Sequence, residues 1–249
     1  MLILRLSALI AAVSGIALAD EVTDWNRIML DALLVPPAPG PLAPRPAAIF
    51  QGSVFNAVNG IERRFTPIHV TPAAPPGGPQ RAAAVQAAYA SLAHLFPSQI
   101  ATFDQKRSAS LAGIASGSAA ENSESIQRGI EWWQTVADAI WAWRSTDGFS
   151  NVQPPFLGGM NPGQWRPTLP AFAPGLAPQM ATMTPWAMAS PSQFRQPGPP
   201  SLTSPHPADF NEVKNKGSAT SSTRTAEEAL YVQCWASATP PDFWDPLGR

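Results

Sequence analysis

The sequence predicts an all-α protein: a helical bundle followed by a long, ordered coil rich in proline and aromatic residues. Three observations carry that prediction. Apolar residues recur at three- and four-residue spacing in successive stretches, whereas no stretch alternates with period two and no longer repeat is visible. Only 13% of residues are charged against 45% hydrophobic, with nine tryptophans, a composition that fills a core and excludes a fully disordered chain. Prolines are concentrated between the periodic stretches, where they end helices.

In chain order, residues 1–19 read as a signal peptide. Met1 to Arg5 is a short basic start, Leu6 to Leu18 an apolar stretch, and Ala17-Leu18-Ala19 the small-residue pattern of a cleavage site, so the mature chain is expected to begin at Asp20. About 13 apolar residues fall short of the roughly 20 that cross a bilayer. The expected location is therefore secreted or periplasmic, with no membrane span after cleavage.

Residues 21–35 read as a helix carrying Trp25, Ile28, Met29, Ala32 and Leu33 on one side, with Asp20 or Thr23 as its cap. Six prolines from Pro36 to Pro46 end it. A second helix fits 46–64, where Ile49, Phe50, Val54, Ala57, Val58 and Ile61 form a stripe and Arg63-Arg64 suits the negative C-terminal end. After a loop over Pro67–Pro79, residues 80–96 form an Ala-rich helix stopped by Pro97. Its small side chains let neighbouring helices approach closely. A weaker helix over 98–112 carries Ile100, Phe103 and Leu111. The longest periodic stretch, 119–145, holds Ile126, Ile130, Trp133, Ala137, Ile140 and Trp141 and ends at the Asp147-Gly148 turn. From Ser150 to Pro207 the chain holds 14 prolines with Trp165, Phe172, Trp186 and Phe194 among them. An ordered coil that lays these rings over the helices is expected. Residues 207–216 and 225–238 close the chain as helices, the latter with Thr225 as cap and Glu228 as its capping-box partner.

The chemistry legible in the residues is mostly exclusion. Sixteen basic residues against 17 acidic ones leave no counterion-releasing surface, so nucleic acid is discounted as a partner. The lone Cys234 permits neither an intrachain disulfide nor a Cys-rich zinc site, and His69, His94 and His206 show no HxxxH spacing. GxSxG, HExxH, P-loop and GxGxxG patterns are absent. The pairs Asp20/Glu21 and Glu227/Glu228 are read as solvated carboxylates, because adjacent helical residues point apart. His94 is read as a hydrogen-bonded packing residue and Cys234 as a small buried hydrophobe. Trp132, Trp133, Trp141 and Trp143 fit a bundle core and lid better than a ligand platform, since they divide between two helix faces. Arg144, Asp147 and Arg224 lie nearest the aromatic runs, where each either sits in a buried salt bridge or faces a pocket.

Several segments, in order and spacing across nearly all of residues 20–249, carry a resemblance. They are DWNRIMLDAL at 24–33, RPAAIFQGSVFNAVNGIERRF at 45–65, AAVQAAYASLAHLFPSQ at 83–99, RSTDG at 144–148 and PGQWRPTLPAFAP at 162–174. SQFRQPGPPSLTS, DFNEVKNKG and STRTAEE follow between 192 and 228. Together they resemble the N-terminal half of bacterial secreted proteins related to vanadium-dependent haloperoxidases and type 2 phosphatidic acid phosphatases.

The resemblance implies the first of that family's two helical bundles. It also implies that the family's chemistry lies in the later half, where a Lys before Arg-Pro, a Pro-Ser-Gly-His segment and a Ser-Arg segment with a following His bind phosphate or vanadate. Arginine and lysine there hold oxyanion oxygens, and a His attacks phosphorus or ligates vanadium. None of these motifs occurs in this sequence. Lys106, Lys214 and Lys216 are its only lysines, and neither Arg45-Pro46 nor Arg166-Pro167 follows one at the family's distance. No catalytic, cofactor-binding or metal-binding residue is therefore carried across, and vanadate is expected only if a catalytic half is supplied elsewhere. The chain reaches Arg249 just after the helix that resembles the one preceding the catalytic half. That predicts a family member lacking this half, through a truncated or divided gene, and inactive alone. Two alternatives stand beside it: completion by another chain, as one half of a haloperoxidase or phosphatase, and a non-catalytic binding or homodimerisation module.

Overall fold

A computed structural model describes residues 20–35, 40–71, 78–117, 122–161, 163–198 and 207–236. Seven α-helices are described: α1 Glu21–Leu33, α2 Pro44–Glu62, α3 Gln80–Leu95, α4 Ile100–Gly117, α5 Ser123–Ser145, α6 Pro207–Gly217 and α7 Ala226–Ala236. No strand occurs among the described residues, and Phe156 and Gly175 form an isolated antiparallel bridge. The fold is all-α, as predicted. The leader over 1–19 and the last two residues of the helix expected at 225–238 lie outside the described residues. No described helix is long and apolar enough to cross a membrane.

Helix α3 is the axis of the bundle. It packs against α1, α2, α4 and α5, and its residues from Ala82 to Ala88 are buried in an unbroken run. Alanine on every side makes this possible, because four neighbours can come close only to a helix with short side chains. The one long polar residue in that run, Gln86, is bonded at both ends. Its Nε2 donates to Gln134 Oε1 (2.8 Å) and its Oε1 accepts from Arg107 Nε (2.6 Å). Trp25, Met29, Phe50, Phe103, Ile114 and Trp133 fill the space around α3.

The helix ends follow from local chemistry. Asp20, one of the two caps considered, caps α1 by accepting from the Val22 amide (3.1 Å). Gln99 Nε2 donates to the Ala32 and Val35 carbonyls at the other end of α1 (3.0 and 2.7 Å). Arg63 takes a left-handed conformation (φ 54°) to end α2, and the chain then doubles back onto that helix. Asn56 and Asn59, buried on α2, hold the returning segment: Asn56 Oδ1 accepts from Ile68 N (3.1 Å), and Asn59 exchanges bonds with both backbone groups of Phe65 (2.8 and 2.9 Å). Asn122 caps α5 through the Ser125 amide. Thr225 and Glu228 form the predicted capping box at α7, with Thr225 N donating to Glu228 Oε2 (2.8 Å) and Glu228 N to Thr225 Oγ1 (3.2 Å).

Three expectations need correction. Glu21 is not a solvated carboxylate: it is buried against α3 and accepts from Arg81 Nε (2.8 Å), because α1 rotates its first turn toward the bundle. Cys234 is exposed rather than buried, because α7 is exposed on all sides there, every residue from 230 to 235 lying at the surface. Within the coil, Trp186 lies on the helices as expected, but Trp165, Phe172 and Phe194 remain largely in solvent.

Candidate functional site

Three buried charged residues meet where α5 ends beside the start of α2. Arg144, in the last turn of α5, is fully buried (0% exposed), Asp147 follows at 3%, and Arg45 from the first turn of α2 joins them at 8%. Arg45 Nε donates to Asp147 Oδ2 (2.9 Å) and its Nη2 to both Asp147 Oδ1 (3.3 Å) and the Arg144 carbonyl (2.7 Å). Arg144 Nη2 donates to Asp147 Oδ2 (2.8 Å) and to the Thr184 carbonyl (2.7 Å). The Phe149 amide completes the shell of Asp147 (2.9 Å). One carboxylate thus serves two guanidinium groups, and Arg144 Nε is buried with no hydrogen-bond partner.

Electrostatics follow from that count. Burial pushes the Asp147 carboxyl upward, but hydrogen bonds from Arg45 and the Phe149 amide, with the charges of both arginines, hold it below its ordinary value. Burial acts on Arg144 in the same sense as the nearby Arg45 charge and outweighs attraction to Asp147, so its guanidinium is lowered.

Aromatic rings close the cluster. Arg45 lies 4.3 Å from the Phe149 ring centroid, and Arg144 lies between Trp143 (4.8 Å) and Trp186 (4.7 Å). His69 stacks on Trp143 with ring centroids 4.3 Å apart, and Trp186 meets Trp143 edge-on at 5.0 Å. Trp186 can sit there because Gly52 of α2 carries no side chain: a Cβ at that position would be 3.1 Å from the indole. The coil is tied in further by the Thr184 amide, which donates to the Asp147 carbonyl (2.8 Å).

This arrangement fastens rather than reacts. Every donor of the two arginines that is bonded goes to Asp147 or to a backbone carbonyl, and their charges are covered by rings. The other residues singled out in the sequence are dispersed. His94 Nε2 pairs with Asp138 Oδ1 (2.7 Å) while stacking on Trp141, the packing role expected of it. Trp133 is core, and Trp132, Trp141 and Trp143 are half-buried around it. Arg224 is half-buried and donates to the Lys216 and Ser218 carbonyls (2.9 and 3.2 Å), bracing the turn between α6 and α7. Lys216 pairs with Glu228 across that turn. Lys106 borders a surface hollow of about 490 Å3 between α1 and α4, facing Asp24 and Asp31. His206 lies outside the described residues. Among the described residues, no three His, Cys, Asp or Glu side chains converge as metal ligands would.

The RSTDG stretch signalled Arg144 and Asp147. Arg45 gave no such signal as their partner, because 102 residues separate it from Asp147. No family model, curated protein or solved structure matches the chain.

Proposed function

We propose that the chain is a secreted, haloperoxidase- or acid-phosphatase-related helical scaffold whose 249 residues lack the oxyanion-binding set and do not turn over substrate alone. One observation carries this reading. The two buried arginines, the cations best placed to grip a tetrahedral anion, are already committed to Asp147 and to backbone carbonyls. Oxyanion catalysis requires preorganised donors that are still open to the developing charge. The family segments support the ancestry, and the leader pattern at 1–19 supports export.

The direct test is an assay of the purified chain with a phosphomonoester, and separately with vanadate, peroxide and bromide. No turnover above buffer is expected; turnover with either substrate set refutes the reading. N-terminal sequencing of the exported product tests the leader, with Asp20 expected as the first residue.

A second reading has its own support. Phe210 and Val213 on α6, and Leu230, Tyr231 and Val232 on α7, are exposed apolar side chains within two short helices. Such a concentration is what an interface shows, which favours completion by a catalytic partner chain or a second copy. Light scattering of the pure chain separates these: a dimer favours self-association, and a monomer that gains haloperoxidase or phosphatase activity only on adding a chain with the missing motifs favours the partner.

A further inference from the structure

Residues 156–161 and 163–175 have almost no regular structure, yet hydrogen bonds hold them in place. The Gly175 amide donates to the Phe156 carbonyl (2.8 Å), the Gly159 amide to the Trp165 carbonyl (3.0 Å) and the Phe172 amide to the Thr168 carbonyl (2.9 Å). Phe156 stacks on Trp165 at 5.4 Å. Glycine is required where the two arms meet: Gly158 has φ +68°, and a Cβ there would fall 1.8 Å from the Trp165 carbonyl oxygen. Beside this loop lies an open surface groove of about 780 Å3.

The walls of that groove are apolar and the charge on it is single. Leu157, Met160, Trp165 and Phe172 line it, and Met160 is 83% exposed, a placement that water alone does not favour. Between Asp147 and Arg195 the sequence contains one charged residue, and it is Arg166, which lines the same groove. Among the described residues Arg166 has no ion pair, hydrogen bond or ring contact. Gln164, a polar neighbour, accepts from the Asn161 amide through Oε1 (3.1 Å). A lone unpaired guanidinium at the rim of a preorganised apolar groove complements an anion of one charge on an apolar body. It lacks the second cation that a phosphate dianion calls for and the array of hydrogen-bonding groups that a sugar calls for.

We propose that this loop binds an amphiphilic monocarboxylate, its carboxylate on Arg166 and its hydrocarbon body along Leu157, Met160 and Phe172. This site is separate from the Arg45–Asp147–Arg144 cluster and stands whether or not the scaffold reading holds.

Isothermal titration of the full chain with octanoate, and with octanol as the uncharged counterpart, tests the proposal. Saturable one-to-one binding of octanoate is expected, roughly fivefold tighter than octanol, the scale of an exposed ion pair. Arg166→Gln should bring octanoate down to the level of octanol and leave octanol unchanged. Met160→Glu, at an exposed position that does not support the fold, should abolish octanoate binding. Absence of saturable octanoate binding, or octanoate binding undiminished in Arg166→Gln, overturns it. So does Arg166-dependent sedimentation with phosphatidylglycerol vesicles by a chain that ignores octanoate, which would assign the loop to a membrane surface.

Discussion

Replacing Asp147 by Asn leaves two guanidinium groups buried with no counter-charge. Breaking one partner out of a buried pair costs about 3–5 kcal/mol, so Asp147→Asn should lower the denaturant midpoint far more than a surface change. Urea unfolding followed by circular dichroism measures it. The same carboxylate, with Glu21, sets an acid limit on stability. Burial raises both, yet the arginines facing them hold both below their ordinary values in the folded protein. The unfolded chain therefore takes up protons more readily. The stabilisation is complete above the ordinary carboxylate range, about pH 4 to 4.5, and is lost as pH falls through the lower folded values. The unfolding midpoint should decline on acidification through that range, and Glu21→Gln should flatten part of the decline. At this scale the sequence was half legible. Arg144 and Asp147 stand three apart at a helix end, so their pairing is a local matter. The burial of Glu21 and the exposure of Cys234 depend on which distant elements pack on their helices, which no local pattern states.

Helices were the most legible elements, for reasons visible in particular residues. The Thr225–Glu228 box lies wholly within four residues and formed as read. Thr225→Ala should cost about 1 kcal/mol of local stability, seen as faster amide exchange in α7 with little change in the global unfolding midpoint, because α7 is exposed. The coil was less legible. Its prolines and aromatics point to order, but the ring that reaches the bundle, Trp186, packs closely on Gly52, more than a hundred residues earlier in sequence. Trp186→Ala should loosen the segment at that point. The Thr184 amide, bonded to the Asp147 carbonyl, should exchange faster, and global stability should fall by about 2 kcal/mol, the order of one large half-buried ring.

Across the whole molecule, two regions contrast. From α1 to α5 the chain builds a core around α3 in which even the polar residues Gln86, Asn56 and Asn59 are bonded. The coil, α6 and α7 keep large apolar side chains in solvent, Val152, Met160, Val213 and Leu230 among them. In the first region the bonded donors of the buried arginines point at the protein's own oxygens. Equilibrium dialysis of the purified chain against vanadate tests the scaffold reading most directly. Retention no greater than that of an unrelated protein of equal charge is expected; capture of one vanadate per chain would contradict it.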